Sequence, residues 1–101
     1  MIIVIASNRI KAGRRDEFIE AFKPFAETVR KENGCIEYFP AVDAETGFPP
    51  QETDPNVVTI LEKWESLEAL KVHMQTPEMK AFGEKSRDMM EQMSIKLLQE
   101  A

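Results

Sequence analysis

The first strand of this chain begins with no polar side. In MIIVIASNRI, Ile2, Val4 and Ala6 alternate with Ile3 and Ile5, so an extended backbone carries apolar side chains to both sides. In VVTILEKWES the same holds, with Val57 and Leu61 alternating with Val58, Ile60 and Trp64. A sheet built from such strands needs covering twice, once by the chain's own helices and once by something else. A second copy of the sheet is the simplest cover, so a two-fold homodimer is expected. Two such sheets face to face would enclose apolar space for a hydrophobic ligand.

Switches of period set the remaining elements. Ile2 to Ile10 reads as a strand. Phe18, Phe22, Phe25 and Val29 then recur at helical spacing. Pro24 inside that stripe predicts a kink, and Gly34 is expected to end the helix. In CIEYFPAVDAE, Ile36, Tyr38 and Val42 fall on one side and Glu37, Phe39 and Asp43 on the other. Pro40 lacks the donor a ladder needs, which predicts an edge strand or a bulge. AETGFPPQETDPN reads as a long loop, a candidate lid or partner-contacting segment.

After the third strand, Ser66 is a candidate N-cap for a helix carrying Leu67, Leu70 and Met74 on its stripe. Thr76-Pro77 restarts a helix whose stripe runs Met79, Phe82, Ser86, Met89 and Met93, and MSIKLLQEA closes as a fourth strand. The order strand–helix–strand–strand–helix–helix–strand predicts an α+β, ferredoxin-like fold. Its four-stranded antiparallel sheet would carry helices on one face, in a single domain over residues 1–101 with its core at about 2–98.

Charge narrows the partners. A formal net charge of −5, with basic residues dispersed, excludes the clustered positive face that a nucleic acid would need. The one basic pair, in GRRDEF, is followed at once by two acids and reads as a solvated helix start. Cys35 is the only cysteine, so no internal disulfide forms; a reducing, cytoplasmic setting and a structural thiol are expected. MIIVIA is too short to span a membrane and has no basic region before it, so no membrane association is expected.

NGCIEY at Asn33–Tyr38, LEKWES at Leu61–Ser66 and HMQTPEMKAF at His73–Phe82 resemble the antibiotic-biosynthesis monooxygenase superfamily. The likeness is strongest to its small bacterial quinol-monooxygenase branch. It covers nearly the whole chain, and IASNRIKAG at Ile5–Gly13 also fits. The resemblance implies a dimeric α+β barrel with a pocket between each subunit's sheet and helices. It also implies oxidation of phenolic or quinol-like rings by dioxygen, with no metal, haem or flavin as cofactor. Isomerases and haem-degrading enzymes share the superfamily. Asn8 matches the haem-degrading pattern, but His73 stands where those relatives carry tryptophan and Gly83 falls near their histidine. Gly83 cannot bind iron. Glu78 occupies the place after TP where many quinol-type relatives carry a second histidine, so this chain has one imidazole only.

An enzyme that oxidises a phenol without a cofactor needs an apolar pocket, a base and groups to hold the anion. His73 is the candidate catalytic base, because an imidazole with an unperturbed pKa of about 6.5 can take that proton near neutrality. By helical geometry it lies roughly 80–100° from the centre of the Leu67–Leu70–Met74 stripe, on its boundary. The candidate substrate-binding residues are Asn8 and Tyr38 as polar anchors, Trp64 as an aromatic wall, and Met74 from an adaptable methionine cluster. Glu62 joins them; its alternation with apolar neighbours leaves it to line the pocket, orient His73 or face solvent. Two other readings stay open. One is an isomerase of a small phosphorylated substrate, which would need pocket lysines or arginines. The other is a non-catalytic dimeric module that binds a hydrophobic metabolite.

Overall fold

The computed structural model describes residues 1–101. The elements are β1 (Ile2–Ile10), α1 (Arg15–Val29), β2 (Cys35–Ala41), β3 (Val57–Trp64), α2 (Leu67–Met74), α3 (Pro77–Ser86) and β4 (Met90–Leu98), with one 3-10 turn at Arg87–Met89 before β4. The strands form one antiparallel sheet in the order β2-β3-β1-β4. This is the expected ferredoxin-like α+β fold. β2 is an edge strand, as Pro40 requires.

Register decides what faces the helices. Val4 lies opposite Glu62 and Leu97, Ala6 opposite Ile60 and Ile95, and Asn8 opposite Val58 and Met93. These positions share the inner face, together with Trp64 and Tyr38, and the helices pack over β2 and β3. The outer face carries a row of Phe39, Leu61 and Ile5 across three strands, all at least partly exposed. Thus the two apolar faces read in β1 and β3 are both present, and one chain covers only one of them.

In β2 the expected alternation fails at two places. A register shift between Cys35 and Glu37 turns Ile36 outward, where it is exposed, and Val42 lies past the strand end. A bulge of this kind inserts one residue and resets the faces, which leaves Tyr38 buried on the inner side.

The stripe of α1 is buried as its spacing predicts, with Phe18, Phe22, Phe25 and Val29 inside. Each such side chain contributes about 1.5–3 kcal/mol on burial. The helix runs through Pro24 without a break. Pro24 is on the exposed side, where water can take up the carbonyl that loses its donor. The helix ends at Val29, earlier than Gly34. Lys31 and Glu32 donate their backbone N–H groups to the carbonyls of Thr28 and Val29, which tightens the exit into a turn. Gly34 then takes φ +84°, and a Cβ there would come within 2.6 Å of the Ala69 Cβ on α2.

Both caps of the later helices are as read: Ser66 Oγ accepts from the Ala69 N–H at 3.1 Å, and Thr76 Oγ1 accepts from the Met79 N–H at 3.1 Å. The helical stripe does not reach Met93. α3 ends at Ser86, and β4 begins at Met90 because β1 offers a free edge as far back as Ile10, which pairs with Met90.

Candidate functional site

A cavity of about 310 Å³ lies between the inner face of the sheet and the helices. Ala6 and Ile60 form its floor, and Phe18, Phe22 and Phe82 its roof. Phe82 is fixed by stacking on Phe25, with ring centroids 4.7 Å apart and planes within 5°. The mouth opens beside β4, which the helices do not cover. Met93 and Ile95 line the cavity there yet are 57% and 46% exposed. Met74 lines the same mouth, as expected of an adaptable contact.

His73 is far deeper than its helical angle suggests, at 1% exposed. The buried face of α2 is centred on Leu70 and His73, whereas Leu67 and Met74 are half out. Contact of Ala69 with the Gly34 turn rolls the helix this way. The ring stacks on Trp64 at 4.7 Å between centroids and meets the edge of Tyr38 at 5.3 Å. Its Nδ1 lies 3.1 and 3.3 Å from the two carboxylate oxygens of Glu32. In the tautomer whose Nδ1–H donates to Glu32, Nε2 is left as an acceptor, on a residue that lines the cavity.

Glu32 is the residue that sequence reasoning missed. It belongs to the turn after α1, 41 positions from His73, and nothing in its local pattern signals the pairing. Glu62 does not take that orienting part, nor does it face solvent. It is 7% exposed on the inner face, and its Oε1 accepts the Trp64 indole N–H at 2.9 Å. Burial, helped by the Glu32 carboxylate, pushes its carboxyl above the usual carboxylate range against the opposing pull of the indole N–H and His73. Trp64 is fully buried and does not form the cavity wall. It stands behind His73 and Glu62 and holds both.

Asn8 lines the cavity, but its amide N–H₂ is committed to the carbonyls of Ala6 and Val58 at 3.1 and 3.2 Å. As a polar anchor it therefore has an acceptor, Oδ1, left to offer. Tyr38 also lines the cavity; burial, then the Glu62 and Glu32 carboxylates, push its phenol upward, so it stays protonated. No side-chain nitrogen or oxygen sealed from solvent lacks a hydrogen-bond partner. The Tyr38 hydroxyl, His73 Nε2, Asn8 Oδ1 and Glu62 Oε2 make no hydrogen bond within the protein, so none of the four is sealed from solvent, and all four residues line the cavity. Cys35 stays outside this group, and burial pushes its thiol up to about 11, which withholds the thiolate. No three His, Cys, Asp or Glu side chains converge to hold a metal ion.

Gly83 lines the cavity as well, and a Cβ there would meet nothing within 4 Å. Gly83→Leu is expected to fold at least as well as the parent, since glycine costs a helix interior about 0.8–1.0 kcal/mol. The added isobutyl group should enter the cavity and raise KM, or Kd for an aromatic ligand, by about tenfold or more. Titration of ligand against parent and variant checks this, and an unchanged Kd would place ligand binding elsewhere.

The chain belongs to the antibiotic biosynthesis monooxygenase family, whose sequence model matches residues 1–85. At the level of that family it is a monooxygenase-type oxidoreductase. It is 38% identical to the Escherichia coli K12 protein named "Probable quinol monooxygenase YgiN" over 101 residues, which span 98% of this chain and 97% of that one. Among solved structures, a conserved protein from Methanosarcina mazei Go1 superposes with a TM-score of 0.85 at 25% identity, over 99% of this chain and 92% of the other. A protein from Nitrosomonas europaea matches the fold equally, with a TM-score of 0.85 at 18% identity over 99% and 98% of the two chains. No helix is long and apolar enough to cross a membrane.

Proposed function

We propose that this protein is a cofactor-independent monooxygenase or oxidase that uses dioxygen to oxidise a quinol or other polyhydroxylated aromatic. One observation carries the reading: a buried imidazole, oriented by Glu32, opens its free nitrogen onto an apolar cavity of ring-sized volume. The absence of any lysine or arginine from the lining argues against a phosphorylated substrate.

His73 is the catalytic base. Its Nε2 takes a proton from one ring hydroxyl, and Glu32 fixes the tautomer that makes this possible. Asn8 Oδ1 accepts from a second hydroxyl, and the Tyr38 O–H donates to the ring oxygen as it becomes phenolate. Glu62 lines the site beside the substrate, Met74 adapts the mouth to it, and Trp64 keeps His73 in place from behind. The phenolate is electron-rich enough to pass one electron to dioxygen, which a neutral closed-shell ring does poorly. Two outcomes balance. A second electron gives quinone and hydrogen peroxide, whereas recombination at carbon followed by loss of water gives a hydroxyquinone.

Oxygen uptake by metal-stripped protein with a panel of hydroquinones tests the proposal. Uptake of which catalase returns half identifies the oxidase; uptake with water and a hydroxyquinone as products identifies the monooxygenase. Saturable binding without uptake would sink the enzyme and leave a metabolite-binding module.

A homodimer completes this reading. The outer-face row of Phe39, Leu61 and Ile5 is apolar and open, and a two-fold copy of the same row matches it. The pairing would make a dimeric α+β barrel with one cavity per protomer. Leu61→Lys is expected to convert the dimer to monomer by sedimentation equilibrium, and an unaltered dimer would move the interface off this face. We place the protein in the cytoplasm, on the strength of its single unpaired cysteine.

A further inference from the structure

Oxidising a quinol moves two protons as well as two electrons, and the scheme above assigns a group to only one of those protons. The cavity holds a second titratable side chain without a task. Glu62 is more than nine-tenths buried, forms no ion pair with any lysine or arginine, and spends one oxygen on the Trp64 indole N–H. Its other oxygen opens onto the cavity. The titratable groups that act on it are Glu32 from the turn after α1, His73 from α2, and Tyr38 and Cys35 from β2. Glu62 and His73 both rest on one indole, the first at its N–H and the second on its ring face.

We propose that Glu62 is a second catalytic residue, the acid that hands a proton to dioxygen while it is being reduced. This rests on the quinol-oxidising reading. His73 removes one hydroxyl proton, and the resulting quinolate gives one electron to dioxygen, leaving a semiquinone and superoxide. The Glu62 carboxylic O–H breaks as its proton forms the O–H bond of a hydroperoxyl radical. That radical takes the remaining hydrogen atom, proton and electron together, from the semiquinone hydroxyl. Quinone and hydrogen peroxide result, and the proton held on His73 returns to the Glu62 carboxylate. The sum is quinol plus dioxygen to quinone plus hydrogen peroxide, with no other reductant. Protonation is useful at the first electron transfer, because superoxide in an apolar cavity is a charge without water to solvate it. The carboxyl suits the task because burial favours its protonated form relative to that of an exposed glutamate.

Glu62→Gln is the test, since its amide oxygen still accepts the indole N–H while the transferable proton is gone. With 1,4-naphthohydroquinone as probe, kcat is expected to fall by about 10²-fold or more with KM little changed. The alkaline limb of the kcat profile should disappear, and Glu62→Asp should recover part of the rate. Infrared difference spectroscopy gives a readout free of turnover. The wild type at neutral pH should show the carbonyl stretch of a protonated carboxyl, and Glu62→Gln should lack it. Absence of that band from the wild type would overturn the proposal, because an ionised Glu62 has no proton to give. Wild-type kcat and an intact alkaline limb in Glu62→Gln would overturn it while leaving quinol oxidation standing. No turnover by the wild type would remove quinol oxidation and this step together.

Discussion

His73→Ala is expected to lower kcat for quinol oxidation by about 10²–10⁴-fold, the usual worth of a positioned base. Nothing else in the cavity can take over. The Tyr38 phenol is held protonated by its burial, burial raises the Glu62 carboxyl and makes it a weaker acid, and Cys35 is off the cavity. Alanine also leaves a ring-sized hole between Trp64 and Tyr38, so loss of rate alone would be ambiguous. Added imidazole separates the causes, since a folded variant with an empty slot should regain rate in proportion to free imidazole. Glu32→Gln should retain more rate than His73→Ala, because the glutamine oxygen can still accept from Nδ1–H. Undiminished oxygen uptake by His73→Ala would remove the base from the mechanism.

The second large effect is on stability and falls at Gly34→Ala. The residue has φ +84°, a conformation that costs an L-residue about 1–2 kcal/mol. The new methyl would also lie 2.6 Å from the Ala69 Cβ, and overpacking of this kind adds about 1–3 kcal/mol. Together these amount to about 2–5 kcal/mol and a fall in Tm of roughly 10 °C or more. The consequence extends to the site. Glu32 precedes Gly34 in the turn and His73 follows Ala69 by one helical turn, so the Gly34–Ala69 approach sets the spacing of the Glu32–His73 pair. A relaxed variant should therefore lose kcat as well. Gly13→Ala is the control, because that glycine shares a positive φ but meets nothing within 4 Å. Equal losses in both variants would show that backbone strain alone, not the contact, is at work.

Much of the architecture is visible in periodicity, because each element buries only one stripe or side and its neighbours enforce the same answer. The α1 phenylalanines and the two-sided strands are cases of this. His73 lies deeper than its stripe angle predicts for a definite reason. Leu67 and Met74 count as apolar in any stripe, but α2 is short and lies at the rim of the core, so both ends of its stripe project beyond the sheet. A large aromatic in a strand commonly meets the ligand, which suggests a wall at Trp64; here two shorter polar side chains stand in front of it. Asn8 lines the cavity, but whether its amide offers a donor or an acceptor depends on the neighbouring strand's carbonyl. Ile36 was lost to a bulge, and a shift of one residue in register leaves no trace in composition. Glu32 shows the general limit, for a contact across 41 positions is made by the tertiary fold and has no local spelling.

Trp64 is the chain's only tryptophan, so all indole emission from this protein originates at one place. That place is shielded from the cavity by His73 and Glu62. A molecule that merely occupies the apolar space touches phenyl rings and methionines, and the indole should scarcely register it. A molecule that exchanges a proton with either flanking group changes the charge against the indole, and its emission should respond at once. The protein thus carries an unlabelled optical indicator that separates storage of a ring compound from chemistry performed on it.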